Sequence, residues 1–174
     1  MKIQIFNKYL ITAFCIVFFF SCENKKEEET LQKINWKNRE IGENLPDTLT
    51  QGQTYLSVYS QIYSYTQHAQ QDLTTTISLR NVSEKDSVYI SKANYFNESG
   101  TLVRSYVSNT IFLAPMETLE IIIDNKDNEG GSGGNFMFNW ISKANTPPPH
   151  FEAVMISTAG QQGLSFTTSG VRVK

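Results

Sequence analysis

The chain has 174 residues, 40% of them hydrophobic and 18% charged, with a formal net charge of −2; that size and balance fit one globular domain with additional segments and permit a sizeable core. All 17 acidic residues lie beyond position 22 while Lys2 and Lys8 lie before it, so a product starting at Cys22 carries a net charge of −4. No run of basic residues is interleaved with aromatics, and nucleic-acid binding, which relies on clustered positive charge, is not expected.

Lys2 and Lys8 make a short basic start, and residues 9–20 are almost continuously apolar, broken only by Thr12. That is about a dozen residues, against the roughly twenty a membrane-crossing helix needs, and it fits the apolar core of a signal peptide. Phe19, Phe20 and Ser21 then lead into Cys22. Ser21 is the small residue that lipoprotein signal peptidase needs beside its cleavage point, and Cys22 offers the thiol that receives diacylglycerol. The stretch resembles a lipobox, with Phe19 where Leu is common and Phe20 where a small residue is common. Residues 1–21 are therefore read as a lipoprotein signal peptide and Cys22 as the lipidated residue. Each buried CH₂ contributes about 0.8 kcal/mol, so two or three acyl chains on one residue anchor stably. The expected location is exported and held on the cell membrane or outer membrane, periplasmic or surface-facing, with the membrane engaged through the anchor. Cys15 falls inside the signal segment, and the body that follows has no cysteine. No disulfide staples it, although an exported protein has access to one.

Residues 22–51 change in composition. Glu23, Lys25, Lys26, Glu27, Glu28 and Glu29 form a dense mixed-charge run, followed by polar residues with only Leu31, Ile34, Trp36, Ile41 and Leu45 among them. Too little apolar surface is present to fold alone, and the segment reads as a flexible tether with one helical turn at residues 31–36. As a coil it spans roughly 30 Å, and about 90–100 Å fully extended.

From residue 52 to 174 the pattern is β. Residues 55–65 supply the first strand. Leu73, Thr75, Ile77 and Leu79 alternate with Thr74, Thr76, Ser78 and Arg80, the period of a half-buried strand. Val88 and Ile90 open the next strand in even register, and Ala93 and Tyr95 continue it in odd register; a one-residue shift flips faces, so a β-bulge is expected near Ser91 and Lys92. Asn97, Glu98, Ser99 and Gly100 read as a turn with glycine where a positive φ is needed, answered by a partner strand at 102–107. Further strands are expected at 110–113, 119–124, 136–141, 153–157 and 164–173, with Phe136, Phe138 and Trp140 on one core-facing side. Pro115 breaks the chain between two of them. Roughly eight short strands without a convincing helix predict an all-β fold, an antiparallel immunoglobulin-like β-sandwich of about seven to nine strands, with a small closed β-barrel as the alternative.

Three stretches carry a family resemblance: residues 89–106 (YISKANYFNESGTLVRSY), 130–140 (GGSGGNFMFNW) and 152–166 (EAVMISTAGQQGLSF). Together they resemble the bacterial domain-of-unknown-function family numbered thirty-one twenty-four, over about residues 55–173, and the second and third stretches are its specific part. The resemblance implies one domain in an exported protein or lipoprotein. It implies no activity.

Several segments invite a chemical reading. With Gly130 at the sixth position of a calcium loop, Asn125, Asp127 and Glu129 take the first, third and fifth; the twelfth, where a bidentate Glu belongs, is Phe136. A solvated acidic loop is expected, and those three residues are the candidates for an irregular calcium site. Gly131, Ser132, Gly133, Gly134 and Asn135 follow a phosphate-loop composition but lack its GK[ST] ending and its helix. Ser157, Thr158, Gly160, Gln161 and Gln162 lie in a second small, polar, amide-rich connection. If both connections lie at one end of the sandwich they form a polar, uncharged binding surface, as loops do in such folds. Hydrolytic chemistry has little support: His68 and His150 are the two histidines, both expected to be exposed, and no H-E-x-x-H or G-x-S-x-G is present. Ser132, His150 and Glu152 make a triad on paper only. No cofactor and no regular metal site is expected.

These readings converge on a lipid-anchored, non-enzymatic binding module of the cell envelope, with an envelope protein or a glycan as partner. A structural or assembly subunit of an envelope complex is the alternative, and an unrecognised hydrolase comes third. Glycan is favoured if an aromatic row drawn from Tyr55, Tyr59, Tyr63 and Tyr65 proves exposed. The address makes a direct prediction: Cys22→Ser abolishes incorporation of labelled fatty acid and releases the protein from membranes, and label retained by the variant would overturn the assignment.

Overall fold

The computed structural model of the protein describes residues 36–42, 45, 49–158 and 163–174. The signal segment, Ser21, Cys22 and the tether to residue 35 lie outside the described residues. Twelve strands occur among the described residues: β1 (Leu49–Ser57), β2 (Gln61–Ser64), β3 (Thr66–Asp72), β4 (Thr74–Arg80), β5 (Val88–Phe96), β6 (Leu102–Ser105), β7 (Ile111–Leu113), β8 (Thr118–Ile123), β9 (Asn135–Lys143), β10 (His150–Ser157), β11 (Leu164–Ser169) and β12 (Val171–Arg172). All pairings are antiparallel. A six-stranded sheet runs β12-β1-β9-β5-β6, with β7 also on β5, a four-stranded sheet runs β11-β10-β4-β8, and β2 and β3 form a separate hairpin. The sheets do not close into a barrel. The architecture is a β-sandwich.

Alternation sets which face each strand buries. In β9, Phe136, Phe138 and Trp140 point inward; in β4, Thr75, Ile77 and Leu79 do so, and in β8, Leu119, Ile121 and Ile123. The aromatic rings form a continuous stack: Tyr95 on Phe136 at 4.9 Å, Phe136 on Phe138 at 5.3 Å, and Phe138 on Phe151 of β10 at 4.2 Å. The last contact joins the two sheets. The buried indole N–H of Trp140 donates to Thr54 Oγ1 at 3.0 Å, so this polar atom enters the core satisfied.

The bulge lies where the change of register places it, between Ile90 and Lys92, and Gly100 turns the β5–β6 hairpin with φ +75°. Three regions differ from the sequence reading. The single strand expected at 164–173 is two, β11 on the four-stranded sheet and β12 on the six-stranded one, parted at Gly170, whose N–H donates to the Phe151 carbonyl at 2.8 Å. The single strand expected at 55–65 is two: β1 ends at Ser57, because Val58 N–H and Ser60 N–H turn away to donate to Gly134 and Gly131 carbonyls, at 2.9 and 3.2 Å. β2 then pairs with β3 in a hairpin whose base is closed by Leu73 N–H on the Ser60 carbonyl at 2.9 Å. The polar stretch 66–72, expected to be exposed, is indeed mostly exposed but is a strand.

The folded body also reaches further toward the N-terminus than residue 52. β1 starts at Leu49, and Trp36–Arg39 form a 3-10 turn whose Trp36 packs against the core. Glu40 bridges to Ile111, Ile41 N–H donates to the Thr110 carbonyl at 2.9 Å, and Arg39 pairs with Glu117 at 2.7 Å. This segment clasps the outside of β7. It has too few apolar residues to fold alone, but a preformed strand edge supplies the partner it lacks.

The registers define two ends. β1, β5, β8 and β10 finish, and β4 and β9 begin, at the upper end; Ser57 pairs with Asn135, Ile123 with Thr75 and Ile156 with Thr74 there. The clasp enters at the lower end, beside Glu117 in the β7–β8 turn. The Arg39 guanidinium holds the Glu117 carboxyl below the ordinary glutamate range, against the opposing effect of burial, and the Ala114 amide adds to the lowering. A carboxyl whose folded value is depressed contributes stability that is present above its unfolded value of about 4.3 and lost as pH falls through the folded value. Acidification from pH 7 to below about 4 should therefore release the clasp before the sandwich melts, read as a red shift of Trp36 emission while Trp140 stays buried. Glu117→Gln should weaken the clasp at pH 7 and remove this pH dependence; an unchanged titration in the variant would refute it.

Candidate binding surface at the upper end

Three connections meet at the upper end: the β2–β3 hairpin, the β8–β9 loop of residues 124–134 and the β10–β11 connection. In the β8–β9 loop, Asp124 turns the chain by accepting from Lys126 and Asp127 amides, both at 2.9 Å. Gly131–Gly133 make a 3-10 turn. The loop lies directly on the Tyr95 ring, and a Cβ on Gly130 would fall on the Tyr95 hydroxyl. The backbone of this loop is engaged: Gly131 N–H donates to the Asn128 carbonyl at 3.0 Å and Ser132 N–H to Glu98 Oε2 at 3.2 Å. The Gly131 carbonyl accepts from the Ser60 hydroxyl at 3.1 Å, and Asn135 Nδ2 reaches the Gly133 carbonyl at 3.4 Å. Gly131, Ser132, Gly133, Gly134 and Asn135 thus serve closure of their own loop over the core.

Arg104 of β6 fixes the acidic part of the loop. It donates to Asp127 Oδ2, Glu129 Oε2 and the Tyr106 hydroxyl, each at 2.9 Å. The Asp127 bond raises the guanidinium above its ordinary value, while burial raises the Tyr106 phenol against the opposing pull of Arg104. The calcium candidates are therefore divided: Asp127 and Glu129 are turned to a cation of the protein, and Asn125 faces a groove. Among the described residues no group of three or more His, Cys, Asp or Glu side chains is placed to hold a metal ion. Burial pushes the Tyr95 phenol up to about 12 against the opposing pull of the Ser60 hydroxyl, and among the described residues no partner stands within hydrogen-bonding geometry of its hydroxyl.

The groove has a volume of about 580 Å³ and lies between the hairpin, Asn125 and the end of β10. Of the residues expected from sequence, Asn125, Ser157 and Thr158 line it together. Gly160, Gln161 and Gln162 lie outside the described residues. Ser64, Tyr65, Gln70, Gln71, Asp72 and Thr74 of the hairpin and its exit complete the wall, and sequence reasoning missed them. Gln71 Nε2 ties the hairpin to the body by donating to Ser157 Oγ at 2.8 Å. Tyr65, at the hairpin tip, is 104% exposed and adopts φ +58°, a left-handed conformation that is uncommon for a bulky residue and strained. The four tyrosines of the suspected row separate: Tyr63 and Tyr65 stand in solvent, Tyr55 is borderline, and Tyr59 packs edge-on to Phe166 at 5.7 Å. The paper triad is not assembled. Ser132 lies at the upper end, whereas His150 pairs with Arg80 at the lower end and Glu152 forms an ion pair with Arg80 at 3.4 Å.

A family model described as a protein of unknown function, DUF3124, matches residues 51–173. The chain belongs to the DUF3124 family. That span covers both sheets, the hairpin and every described residue of the groove. No curated protein matches this DUF3124 member. Among solved structures, the crystal structure of Thermotoga maritima 1070 is similar at 12% sequence identity, over 69% of this chain and 92% of that chain, with a TM-score of 0.45.

The packing of the loop on Tyr95 can be tested directly. Tyr95→Phe removes a buried, unpartnered hydroxyl and should leave stability unchanged or raise it. Gly130→Ala should cost about 1–3 kcal/mol through overpacking, and less in a chain that also carries Tyr95→Phe. Urea unfolding of the three variants checks this; equal losses with and without the hydroxyl would refute the contact.

Proposed function

We propose that the protein is a lipid-anchored, non-enzymatic binding module of the cell envelope that carries its binding surface at the end remote from its tether. The observation that supports this most is the opposition of the two ends. The clasp joins the body at the lower end, beside Glu117. The groove and the exposed Tyr65 lie at the upper end. With Cys22 as the anchor, fourteen residues lead to Trp36, a reach of at most about 50 Å. The described chain thus continues toward the proposed anchor from the lower end, the end opposite the groove. The partner is an envelope protein or a glycan, and the net negative charge argues against nucleic acid.

A binding role is also supported by how the charged groups are used. Asp86 pairs with Lys143, Glu117 with Arg39, and Asp127 with Arg104; these are structural ion pairs, and the Thr146 hydroxyl that donates to Asp86 Oδ2 at 3.3 Å meets a carboxylate already held by Lys143. A second reading, a structural subunit of an envelope assembly, draws on the outer face of the four-stranded sheet. Ile122 and Ile156 are exposed there in rows with Thr76 and Thr74, a β-branched patch on a face that carries Glu120 and the Arg80–Glu152 ion pair further down.

Photo-crosslinking in intact cells separates these. p-Benzoylphenylalanine is placed in the full chain at Tyr65, Thr158, Ile122 or Asn145. Adducts at Tyr65 and Thr158, and none at Asn145 of the lower end, are expected. Adducts at Ile122 alone would favour the assembly subunit, and adducts at Asn145 without any at the upper end would overturn the orientation.

A further inference from the structure

We infer that the upper groove takes a neutral oligosaccharide, with the Tyr65 ring as the platform for one sugar ring. The inference rests on the binding-module reading above and names the ligand class for that surface.

The lining decides the class. Ser64, Gln70, Gln71, Thr74, Asn125 and Thr158 all present hydroxyls or primary amides. Each amide both donates and accepts, and each hydroxyl does the same. A sugar hydroxyl needs that pairing, because it is itself donor and acceptor. The lining holds one charged side chain, Asp72, whose carboxylate accepts from Gln61 Nε2 at 2.7 Å. Among the described residues no Lys, Arg or His lines the groove, so a phosphate or carboxylate ligand would find no counter-charge on them. With Ala69, Ile156 and the Tyr65 ring, the lined surface is about evenly polar and apolar, which suits a sugar with hydroxyl edges and C–H faces. The volume, about 580 Å³, lies within the range of small-ligand sites.

Tyr65 supplies the second half of the argument. Its ring buries nothing in the protein and its backbone is strained, so the fold gains nothing visible from a tyrosine at this position. Glycine or asparagine would relieve the left-handed φ. Strain kept at an exposed tip is the pattern of a site whose purpose lies outside the chain. An aromatic face carries partial negative charge, and the C–H bonds on the apolar side of a pyranose present partial positive charge to it. Stacking of that kind needs an exposed ring next to neutral hydrogen-bonding groups, which is the arrangement here. Two other grooves among the described residues lack it: the one between the clasp and Thr110 has no aromatic lining, and the one beside the prolines 147–149 includes Arg172.

The test uses the full-length protein, solubilised from membranes in detergent, titrated calorimetrically with chitotetraose, cellotetraose and mannotetraose. Saturable binding of at least one is expected. Tyr65→Ala should weaken it about tenfold and Tyr65→Phe should preserve it, since the ring and not the hydroxyl stacks. Asn125→Ala should weaken it severalfold, Tyr55→Ala should leave it unchanged, and all four variants should keep the melting temperature of the parent. Binding that survives Tyr65→Ala, or no saturable binding of any of the three, overturns the inference. If no tetrasaccharide binds while the Tyr65 photo-crosslink captures a protein in cells, the glycan assignment falls and the binding module stands. If neither occurs, both fall.

Discussion

The structure depends on the stack of aromatic rings that crosses from one sheet to the other. β9 is paired on both sides, with β1 and with β5, so the inward set of Phe136, Phe138 and Trp140 fixes the register of three strands at once. A slip of one residue would turn all three rings to solvent. Phe138 against Phe151 carries the order into the four-stranded sheet, where β10 pairs with β4 and β11. Ring pairs of this kind contribute about 0.5–1.5 kcal/mol each beyond the area they bury. In a body without cysteine, this packing does the work that a disulfide does in many exported domains.

The same stack reaches the upper end. Phe136 lies against Tyr95 and Tyr106; Tyr95 carries the glycine loop, and Tyr106 holds Arg104, which holds Asp127 and Glu129. The β8–β9 loop is thereby continuous with the core and forms a rigid floor. The β2–β3 hairpin is different. It meets the body at its base, through Ile62 and through Gln71 on Ser157, and its tip stands clear. A fixed floor beside a projecting arm makes a groove whose width depends on how the arm is set.

Much of the sandwich was legible in the sequence because one face of most strands is buried. The alternation from Leu73 to Leu79, the change of register at Ser91 and Lys92 and the shared face of Phe136, Phe138 and Trp140 all reflect a core that tolerates no slip. The hairpin was not legible, for the corresponding reason. Thr66, Gln67, His68 and Gln70 are exposed, and a strand that is polar on both faces leaves no period of two. Its turn was also hidden, since Tyr65 occupies a position for which glycine or asparagine is the usual signal. The clasp depends on the edge of β7, far away in sequence, and no local pattern announces it. For the candidate site, three residues singled out in the sequence, Asn125, Ser157 and Thr158, line one groove. The small size of the glycines answers to neighbours remote in sequence, Gly130 and Gly134 to the Tyr95 ring and Gly131 and Gly133 to Glu98, contacts visible only once β5, its turn and the loop are brought together.

The clasp sets the length of a leash. With residues 36–41 seated on β7, fourteen residues, 22–35, separate the proposed anchor from the seated segment. Unseated, the free span runs to Leu49, where β1 starts, and the contour nearly doubles, to roughly 90 Å. The local concentration of the upper end at any fixed height above the membrane changes with that contour, without any change in the groove itself. On the proposed lipid-anchored reading, Glu117 and Arg39, two residues remote from the groove, thus set how far from the anchor the groove can reach.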